Sequence, residues 1–487
     1  KLIIDNKNIY FYMNQNYDYY LELNNKFGTD FEIRNLSVLF NEVFQDIKNP
    51  LIELLAGINK KYNSFDWWCN QVASRSTPAT KLVLNITYLF CVKKIFSNNS
   101  PKVCFIVESN ALSFCIENLA VKEGYDVTNY FNRYSLILDF IFYKLINIYR
   151  IFNFLFDSFR CKYYALRALN RPTLKKDTTE KRIIIRSWVT EDTFNNVEIY
   201  KDRNFGELPN WLSMKNYEIL FMPMFSDYWF PPNLFSSTLK KVYKFMNTQK
   251  VNFIVPEHYL KIVDYFMSIY SNYKSHRIQI NNTILKDVDI STLFNECLMQ
   301  TKYSPHLLSL NLCVPLLKRL KEMDFQIDRF IYSFENNPPE KQFILACRKY
   351  YQNSSIIAFQ HTTFFPNQLA YHLGTDEKEY YPLPDKIICS GQIYCDLHKN
   401  ANFPSNMLVS GPNLRFESVH KYFLRNRTIS CDSQRALLLP LSMTLDLAWE
   451  LFFKVKEAIG NNSEYKIYIR AHPIFSRKDE SPQLVVA

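Results

Sequence analysis

Glycine is scarce in this sequence, with only 8 residues in 487, whereas phenylalanine and tyrosine number 40 and 33. Because Asn, Lys and Ile are also heavily used, this imbalance is typical of codon bias in an AT-rich genome, and we give isolated aromatic residues no functional meaning. Hydrophobic residues still make up 47% of the chain, which allows a large packed core and excludes global disorder. The length exceeds that of one ordinary domain and indicates two or three.

The sequence also lacks any CxxC pair, and its cysteines are odd in number. Most of them lie inside apolar runs. This pattern predicts reduced, buried thiols in a cytosolic protein, and it argues against a disulfide framework or a zinc site. We expect no bound metal, and separately we expect no cofactor. The eleven cysteines are Cys69, Cys91, Cys104, Cys115, Cys161, Cys297, Cys313, Cys347, Cys389, Cys395 and Cys431.

No signal peptide is recognisable, because the first residues, KLIIDNKNIYFYM, are typical of a strand. They also lack an initiator Met, so we expect an incomplete N-terminus. The net charge of +11 favours an anionic partner, such as a phosphorylated substrate or an anionic membrane surface. The charge is dispersed, without a long Lys/Arg block or an RNA-binding signature of the RNP type, so we do not expect nucleic acid as the partner. The expected location is the cytoplasm.

From residue 329 onward, apolar segments alternate regularly with helical ones. Helices are predicted over 338–351, which begins with Pro, over 391–401 and over 442–460. Apolar strands that alternate with helices predict a parallel sheet covered on both faces. The strands are predicted at 329–334, 354–360, 385–390, 406–411, 435–441 and 464–470.

The first 328 residues are less regular. Mainly helices are predicted over 260–325. We expect this half to belong to the same α/β domain, with helical insertions. Its strands are predicted at 102–109, 182–189, 217–224 and 251–257.

The segment 136–159 predicts a helix with a narrow polar arc on an otherwise apolar and aromatic circumference. Its polar breaks argue against a membrane span. Two interpretations remain: a helix lying in the interface of an anionic membrane, with peripheral contact through 136–160, or a core helix of a large domain. The arc contains Asp139, Asn147, Arg150, Asn153, Asp157 and Arg160, and the basic residues Lys162, Arg167, Arg171, Lys175 and Lys176 follow it.

Two neighbouring predicted strands end in residues that can carry chemistry. Glu335 follows the strand 329–334, and His361 follows the strand 354–360. The carboxyl ends of neighbouring parallel strands open onto the same crevice, so both side chains are expected to face one pocket. A carboxylate suits glycosyl transfer as a base or a nucleophile, and a histidine suits donation to a leaving group or binding of an anion. The alternatives are helix N-terminal electrostatics for Glu335 and a hydrogen-bonded loop histidine for His361.

A second set of residues is suited to binding phosphate. Arg470 and His472 lie in YIRAHP at the end of the last predicted strand, and Arg offers a fork of donors. Ser442 in LPLSMT is an N-cap candidate, and free N–H groups at that helix start are expected to bind phosphate unless they serve capping alone. Gly411, at the end of the strand 406–411, is assigned to the same nucleotide site.

The segment DRNFGELPNWL, residues 202–212, is a further candidate. Gly206 indicates a turn with special backbone dihedrals, because glycine is so scarce in this chain. Asp202 is a candidate catalytic carboxylate, and Glu207 is another. The alternative is a purely structural loop.

The order of these motifs resembles that of GT-B enzymes, and above all the bacterial surface carbohydrate biosynthesis proteins of O-antigen and capsule loci. The resemblance rests on SFENNPPEK, QHTTF, PDKIICSG, MLVSGPNLRF, RALLLPLS and YIRAHP, and on DRNFGELPNWL with Ser187-Trp188. It covers roughly residues 180–475. More distantly, the pattern is similar to Kdo and other ulosonic-acid transferases, CDP-glycerol transferases and non-hydrolysing UDP-sugar epimerases.

The resemblance implies an α/β fold with two Rossmann-like domains facing across a cleft. Residues 1–416 would form the acceptor-side domain, with Glu335 and His361 on its wall, and 417–434 would be the linker. Residues 435–487 would begin the nucleotide-binding domain, with Ser442, Arg470 and His472 on its wall. That second domain is expected to be incomplete, because a whole Rossmann domain needs about twice this length or more.

The function implied is transfer of a sugar from a nucleotide-sugar donor to a cell-surface polysaccharide or lipopolysaccharide acceptor, at the inner face of the cytoplasmic membrane. A CMP-linked ulosonic acid is one candidate donor. Two alternatives remain at this stage. One is an epimerase-like or glycerophosphate-transfer reaction on the same fold, and the other is a non-catalytic peripheral membrane scaffold in glycan assembly.

Overall fold

The computed structural model describes most of the chain. The described residues are 9–14, 16–27, 33–76, 80–97, 103–130, 133–170, 181–189, 200, 202–225, 236–249, 251–417, 419–420, 422, 435–442, 445–460, 465–471 and 485–486.

Strands and helices alternate over these residues. The strands are β1 (Ile9–Met13), β2 (Ile33–Asn35), β3 (Val103–Val107), β4 (Lys181–Val189), β5 (Tyr217–Phe225), β6 (Asn252–Phe253), β7 (Ile284–Leu285), β8 (Val288–Asp289), β9 (Arg329–Phe334), β10 (Ser355–Gln360), β11 (Lys386–Ser390), β12 (Leu408–Gly411), β13 (Arg435–Pro440), β14 (Tyr465–Arg470) and β15 (Val485–Val486). The helices are α1 (Tyr17–Phe27), α2 (Ser37–Tyr62), α3 (Gln71–Ser74), α4 (Leu82–Ser97), α5 (Asn110–Lys122), α6 (Arg133–Ala168), α7 (Leu208–Met214), α8 (Ser236–Thr248), α9 (Pro256–Tyr259), α10 (Ile262–His276), α11 (Ser291–Thr301), α12 (Pro305–Asn311), α13 (Cys313–Glu322), α14 (Pro338–Tyr350), α15 (Gln392–Asn400) and α16 (Leu445–Ile459). Short 3-10 helices lie at Trp67–Cys69, Leu369–Tyr371, Glu377–Glu379, Ser405–Met407 and Leu414–Phe416.

The largest sheet has the order β12-β11-β10-β9-β4-β5-β6, and every neighbouring pair in it is parallel. From β4 the chain adds β5 and β6 on one side, and from β9 it adds β10, β11 and β12 on the other. The strand order therefore reverses between β4 and β9, as it does in doubly wound Rossmann-like sheets. This confirms the predicted α/β class with a parallel sheet and many helices.

Both faces of this sheet are covered, which explains the long apolar runs of its strands. In β4, every residue from Arg182 to Ser187 is buried. Ile183 and Ile185 pack on one face in a core formed with α6, α7 and α8. On the other face, the ring of Phe343 in α14 lies edge-on to that of Phe330 in β9.

The predicted alternation of strands and helices after residue 329 is confirmed. β9 spans the predicted residues 329–334, and β10, β11 and β12 begin within two residues of their predicted starts. α14 begins at Pro338, with proline in its first turn as predicted. Residues 251–257, predicted as one strand, instead form the two-residue strand β6, followed by helix α9 with Pro256 in its first turn.

The strand predicted at 102–109 is confirmed, but its pairing partner was not predicted. This segment forms β3, which pairs with β1 in a separate three-stranded parallel sheet with the order β2-β1-β3. The apolar run that predicts a strand says nothing about its pairing partner, and the partner here lies at the start of the described chain.

The chain forms two compact units. One consists of residues 1–46, 86–132 and 423–487 and contains the sheets β2-β1-β3 and β13-β14-β15. The other consists of residues 47–85 and 133–422 and contains the seven-stranded sheet. Both units are discontinuous in sequence. The division into 1–416, a linker over 417–434 and 435–487 stays a prediction, and most of the predicted linker lies outside the described residues.

α6 is 36 residues long and includes the whole predicted helix 136–159. Its apolar arc is exposed to solvent while its polar arc faces the unit, so the interpretation as a core helix is wrong. Within the described part of the chain, no helix has an apolar stretch long enough to cross a bilayer.

The described cysteines are free thiols, as the sequence predicts. Eight of these ten are buried, and Cys431 lies outside the described residues. Burial raises the pKa of Cys69 to about 12, although hydrogen bonds from Asn272 and Asn311 lower it. Such a thiol stays protonated and unreactive at neutral pH.

Candidate functional site

The carboxyl ends of β4 and β9 meet at the point where the strand order of the large sheet reverses. In open α/β sheets, this position opens a crevice in which ligands bind. Arg186 of β4 is in register with Tyr332 of β9, so the residues that follow each of them share this edge. β10 extends the same edge, because Phe334 pairs with Gln360.

Glu335 and His361 come together at this edge. The Nε2 atom of His361 lies 3.2 Å from Oε1 of Glu335, and Asn337 donates a hydrogen bond of 3.0 Å to Oε2. The His361 side chain is only 7% exposed, whereas that of Glu335 is 33% exposed. The carboxylate is therefore held by two side chains and remains accessible to a ligand.

The surroundings of Glu335 keep its carboxylate ionised. Burial raises its pKa, but the hydrogen bond and charge of His361, the hydrogen bond from Asn337 and the charge of Arg415 together outweigh that effect. The net result is a lowered pKa. Glu335 therefore enters a reaction at neutral pH as a carboxylate that can accept a proton.

The loop after β9 is fixed by the first turn of α14. The carboxyl group of Glu340 accepts hydrogen bonds from the backbone N–H groups of Glu335, at 2.8 Å, and Asn336, at 2.9 Å. Asn336 has a φ of 59°, a left-handed conformation that asparagine tolerates better than most residues. Burial first, and then the charge of Glu335, raise the pKa of Glu340 to about 8. Glu340 therefore organises the loop and leaves the Glu335 side chain free to contact His361.

Asp202 lies on the β4 side and holds a loop together. Its Oδ1 accepts hydrogen bonds from Ser187 Oγ at 3.1 Å, Asn204 N at 2.8 Å and Phe205 N at 2.9 Å, and its Oδ2 accepts one of 2.8 Å from the Tyr200 hydroxyl. The residue is 2% exposed. Burial raises its pKa, although these four hydrogen bonds lower it. With both oxygens occupied and buried, Asp202 has the geometry of the structural alternative and not of a catalytic base.

Two arginines near the crevice, Arg203 and Arg415, are not among the site residues predicted from the sequence. Burial, and then the charge of Arg203, lower the pKa of Arg415, while Glu335 raises it, so the three charges lie within electrostatic reach. Arg203 belongs to the Asp202 loop, and Arg415 lies in the 3-10 helix Leu414–Phe416. A pair of guanidinium groups that repel each other favours a bound anion such as phosphate. Arg203 lies in the sequence DRNFG and Arg415 in PNLRF. Neither sequence shows that these two segments lie close together in the fold, so the sequence gives only a weak indication of a shared site.

Gly206 explains how the two loops approach each other. Its φ is +51°, and a Cβ at this position would lie 2.6 Å from Glu417 Oε2 and 3.0 Å from the Leu414 carbonyl oxygen. Glu207 N also donates a hydrogen bond of 3.2 Å to Glu417 Oε2. The turn predicted from this scarce glycine therefore brings Arg203 towards the segment that carries Arg415.

The residues predicted to bind nucleotide lie in different places. Gly411 ends β12, where a Cβ would lie 2.4 Å from Ile388 Cγ2, so close packing of β11 and β12 explains this glycine. Arg470 ends β14 and is exposed; it pairs with Pro440 of β13, and Leu441 N donates to its carbonyl oxygen at 2.9 Å. Ser442 follows and is half-buried. His472 lies outside the described residues. Ser442 and Arg470 belong to the unit of residues 1–46, 86–132 and 423–487.

A separate cavity of about 210 Å³ lies at the carboxyl end of β5, beside α6, α9 and α12. Its lining includes Phe154, Met224 and Leu310, with the half-buried Glu257 and the buried Arg186 as charged groups. Burial raises the pKa of Glu257. Arg186 is already bound, because it donates to two backbone carbonyl oxygens at 3.1 and 3.2 Å. In the described ranges, no three His, Cys, Asp or Glu side chains are close enough to hold a metal ion.

No protein-family model and no curated protein matches this chain. Among solved structures, it is similar to the UDP-GlcNAc 2-epimerase from Neisseria meningitidis bound to UDP-GlcNAc, at 9% sequence identity and a TM-score of 0.27. The alignment covers 60% of this chain and 66% of that chain. At this level the likeness adds nothing to the fold, which rests on the strand order and register of the large sheet.

Proposed function

We propose that this protein is a nucleotide-sugar-dependent glycosyltransferase whose reaction takes place at the carboxyl edge of β4, β9 and β10. The observation that carries the proposal is the Glu335–His361 pair, 3.2 Å apart, in the crevice where the strand order reverses. Arg203 and Arg415 add a cationic group beside an ionised carboxylate. This combination supports an enzyme that removes a proton from a hydroxyl and releases a nucleotide, whose phosphate takes up the electron pair.

In the proposed reaction, Glu335 accepts the proton of the acceptor hydroxyl while that oxygen bonds to the anomeric carbon of the sugar. The bond between that carbon and the nucleotide phosphate oxygen breaks, and the electron pair stays on the phosphate. Arg203 and Arg415 neutralise the charge that develops there. His361 holds the carboxylate in place, and part of the rate enhancement comes from positioning both substrates in one crevice.

The proposed donor is a nucleotide sugar, with a CMP-linked ulosonic acid as one candidate, and the proposed acceptor is a cell-surface glycan or glycolipid. A GT-B arrangement of two Rossmann-like domains and a site at the inner face of the cytoplasmic membrane belong to the same proposal. The motifs that resemble surface carbohydrate proteins support it.

An epimerase-like product or a glycerophosphate product, identified by mass spectrometry and NMR, would replace the transferase reaction with the corresponding alternative. Nucleotide-sugar binding without turnover would favour the scaffold.

The test of this proposal is the substitution Glu335→Gln. A panel of nucleotide sugars is first screened for ligands that raise the melting temperature. With the selected donor, Glu335→Gln is expected to lower turnover by about 10²- to 10⁴-fold, the usual contribution of a general base. Donor binding, measured by calorimetry, is expected to stay nearly unchanged, because the amide keeps the shape of the carboxylate.

The matched control is Glu379→Gln, which changes an exposed glutamate in the 3-10 helix Glu377–Glu379. It is expected to keep full turnover. Turnover of Glu335→Gln equal to that of the parent would exclude Glu335 as the base.

A further inference from the structure

α6 faces solvent with its apolar side. From Ile137 to Arg167, every exposed residue of this helix is apolar, aromatic or cationic. Its polar residues turn inward: Arg150 donates to the Gln300 and Lys302 carbonyl oxygens at 2.8 and 2.9 Å. This arrangement is the reverse of an ordinary surface helix, which buries its apolar side. The exposed residues are Ile137, Leu138, Phe140, Ile141, Phe142, Lys144, Leu145, Ile148, Tyr149, Phe152, Phe156, Phe159, Tyr163, Leu166 and Arg167.

α10 repeats the same reversed pattern. Its buried side is mainly polar, and it includes Asp264, which pairs with Arg319 at 2.8 Å, together with Ser268, Asn272, Ser275 and His276. Its exposed side consists of Ile262, Val263, Phe266, Met267, Tyr270, Tyr273 and Lys274.

The two helices are neighbours. The ring of Tyr265 in α10 lies 5.7 Å from that of Phe159 and 6.4 Å from that of Phe154, both in α6. Both of these adjacent helices expose apolar side chains, and exposed apolar surface of this kind marks an interaction site.

Cations lie directly on the exposed rings of this surface. Lys144 lies 4.3 Å from the centre of the Phe140 ring, Arg167 lies 4.4 Å from that of Tyr163, and Lys274 lies 4.8 Å from that of Tyr270. No acidic residue is among the exposed residues of either helix over 137–168 and 262–276. The chain as a whole carries a charge of +11. Apolar side chains bordered by cations, without carboxylates, complement an anionic lipid surface.

We propose that α6 and α10 together form a surface that inserts into the headgroup region of an anionic bilayer. The aromatic and aliphatic side chains enter the boundary with the acyl chains, and the Lys and Arg side chains contact the lipid phosphates. The inward polar arc explains why both helices lie flat on the membrane: a spanning helix would place those polar groups in hydrocarbon. This inference deepens the proposed location at the inner face of the cytoplasmic membrane, and it does not depend on the proposed reaction.

The experiment is co-sedimentation of the whole chain with phosphatidylcholine vesicles, with and without phosphatidylglycerol, at low and high salt. The parent is expected to bind the anionic vesicles, and salt is expected to weaken binding. Phe152→Ser with Phe156→Ser, and separately Phe266→Ser with Met267→Ser, are each expected to reduce binding about tenfold or more. Lys144→Glu with Arg167→Glu is expected to remove the preference for phosphatidylglycerol.

The matched control is Met214→Ser with Ile393→Ser. Both residues are 74% exposed and lie outside α6 and α10, so binding is expected to remain at the parent level. A second measurement detects insertion directly and does not depend on a loss of vesicle binding. Phe156→Trp is expected to show more quenching by brominated lipids than the parent protein does.

Three results would overturn the inference. The first is vesicle binding that survives both pairs of serine substitutions. The second is a Phe156→Trp variant without added quenching. The third is a dimer of the parent chain, detected by sedimentation, that the serine variants dissociate and that binds no vesicles; the surface would then bind a second copy. Donor binding in the melting assay is measured without lipid, so failure of the lipid inference and failure of the proposed reaction are distinguishable.

Discussion

At the scale of single residues, the crevice depends on side chains that hold others in position. Glu335 contacts His361 because Glu340 binds the backbone of the loop after β9. Asp202 does the same for its own loop, because its carboxylate accepts hydrogen bonds from Ser187, Tyr200 and the backbone. Sequence reasoning placed Glu335 and Asp202 in one class, as candidate carboxylates. What separates them is burial and the number of bound donors, which depend on residues far away in the chain.

His398 provides a prediction at the same scale. It is fully buried among the rings of Phe334, Phe364, Tyr371 and Phe403. Burial, followed by the charge of His372, lowers its pKa from the usual 6.5 to about 4. The folded chain therefore binds no proton here between about pH 6.5 and 4, whereas the unfolded chain does. Stability from this residue is present above that window and is lost as the pH falls through it.

For this one group, the free energy of unfolding is expected to fall by about 2 kcal/mol between pH 7 and pH 5. His398→Phe suits the aromatic surroundings and is expected to remove that share of the pH dependence. The measurement is urea unfolding at the two pH values. The pKa values of His276 and His372 are also lowered to about 4, so these two residues still make the stability of the variant depend on pH. An equal pH dependence in parent and variant would contradict the prediction.

At the scale of elements, the sequence predicts what is local and fails on what is not. β9, α14 and β10 were predicted almost to the residue, because strands buried on both faces are apolar throughout and α14 starts at a proline. β3 was predicted as a strand, but its pairing with β1 was not, because an apolar run does not specify a pairing partner. The polar arc of α6 was also predicted from the sequence, but hydrophobic periodicity does not show whether the polar or the apolar arc faces solvent. For the same reason, the sequence did not predict that α10 exposes its apolar side.

The contact between the Asp202 loop and the 3-10 helix at Leu414–Phe416 gives an element-scale prediction. Gly206→Ala is expected to destabilise the protein by about 1–3 kcal/mol, since it adds backbone strain at φ +51° and a Cβ only 3.0 Å from the Leu414 carbonyl oxygen. The displaced segment carries Arg415, so binding of the nucleotide sugar is expected to weaken as well. Urea unfolding and calorimetry measure the two effects.

The control for this prediction is Gly124→Ala. Gly124 has a φ of +79° but open space where a Cβ would be, so it tests backbone strain without a contact. It is expected to lower stability and to leave nucleotide-sugar binding unchanged. If Gly206→Ala binds the donor as tightly as Gly124→Ala does, the two loops do not form one phosphate site.

At the scale of the whole molecule, each compact unit contains one candidate phosphate site. Arg203 and Arg415 lie in the unit of residues 47–85 and 133–422, and Ser442 and Arg470 lie in the other. Sequence reasoning favoured the second pair, because it follows two strands in a motif that resembles nucleotide-binding domains. The first pair is favoured by its surroundings, because the charges of Arg203 and of Glu335 both shift the pKa of Arg415, and Glu335 lies at the switch point of the large sheet.

Hydrogen exchange with bound nucleotide sugar separates these two possibilities. A ligand that binds only the folded state slows exchange most strongly in the segments that it stabilises. We expect protection at 202–208, 334–337, 360–363 and 413–417, and little change at 439–442 and 468–471.

A charge-assisted hydrogen bond contributes about 1.5–3 kcal/mol, so Arg415→Gln is expected to weaken binding by roughly 10- to 150-fold. Arg470→Gln, the matched change in the other unit, is expected to bind like the parent. The reverse outcome, with protection at 439–442 and 468–471 and weakened binding in Arg470→Gln, would assign the phosphate to β13 and β14 and remove it from the crevice. Because the two variants carry the same substitution in different units, a general loss of positive charge would weaken both alike, and only a specific site separates them.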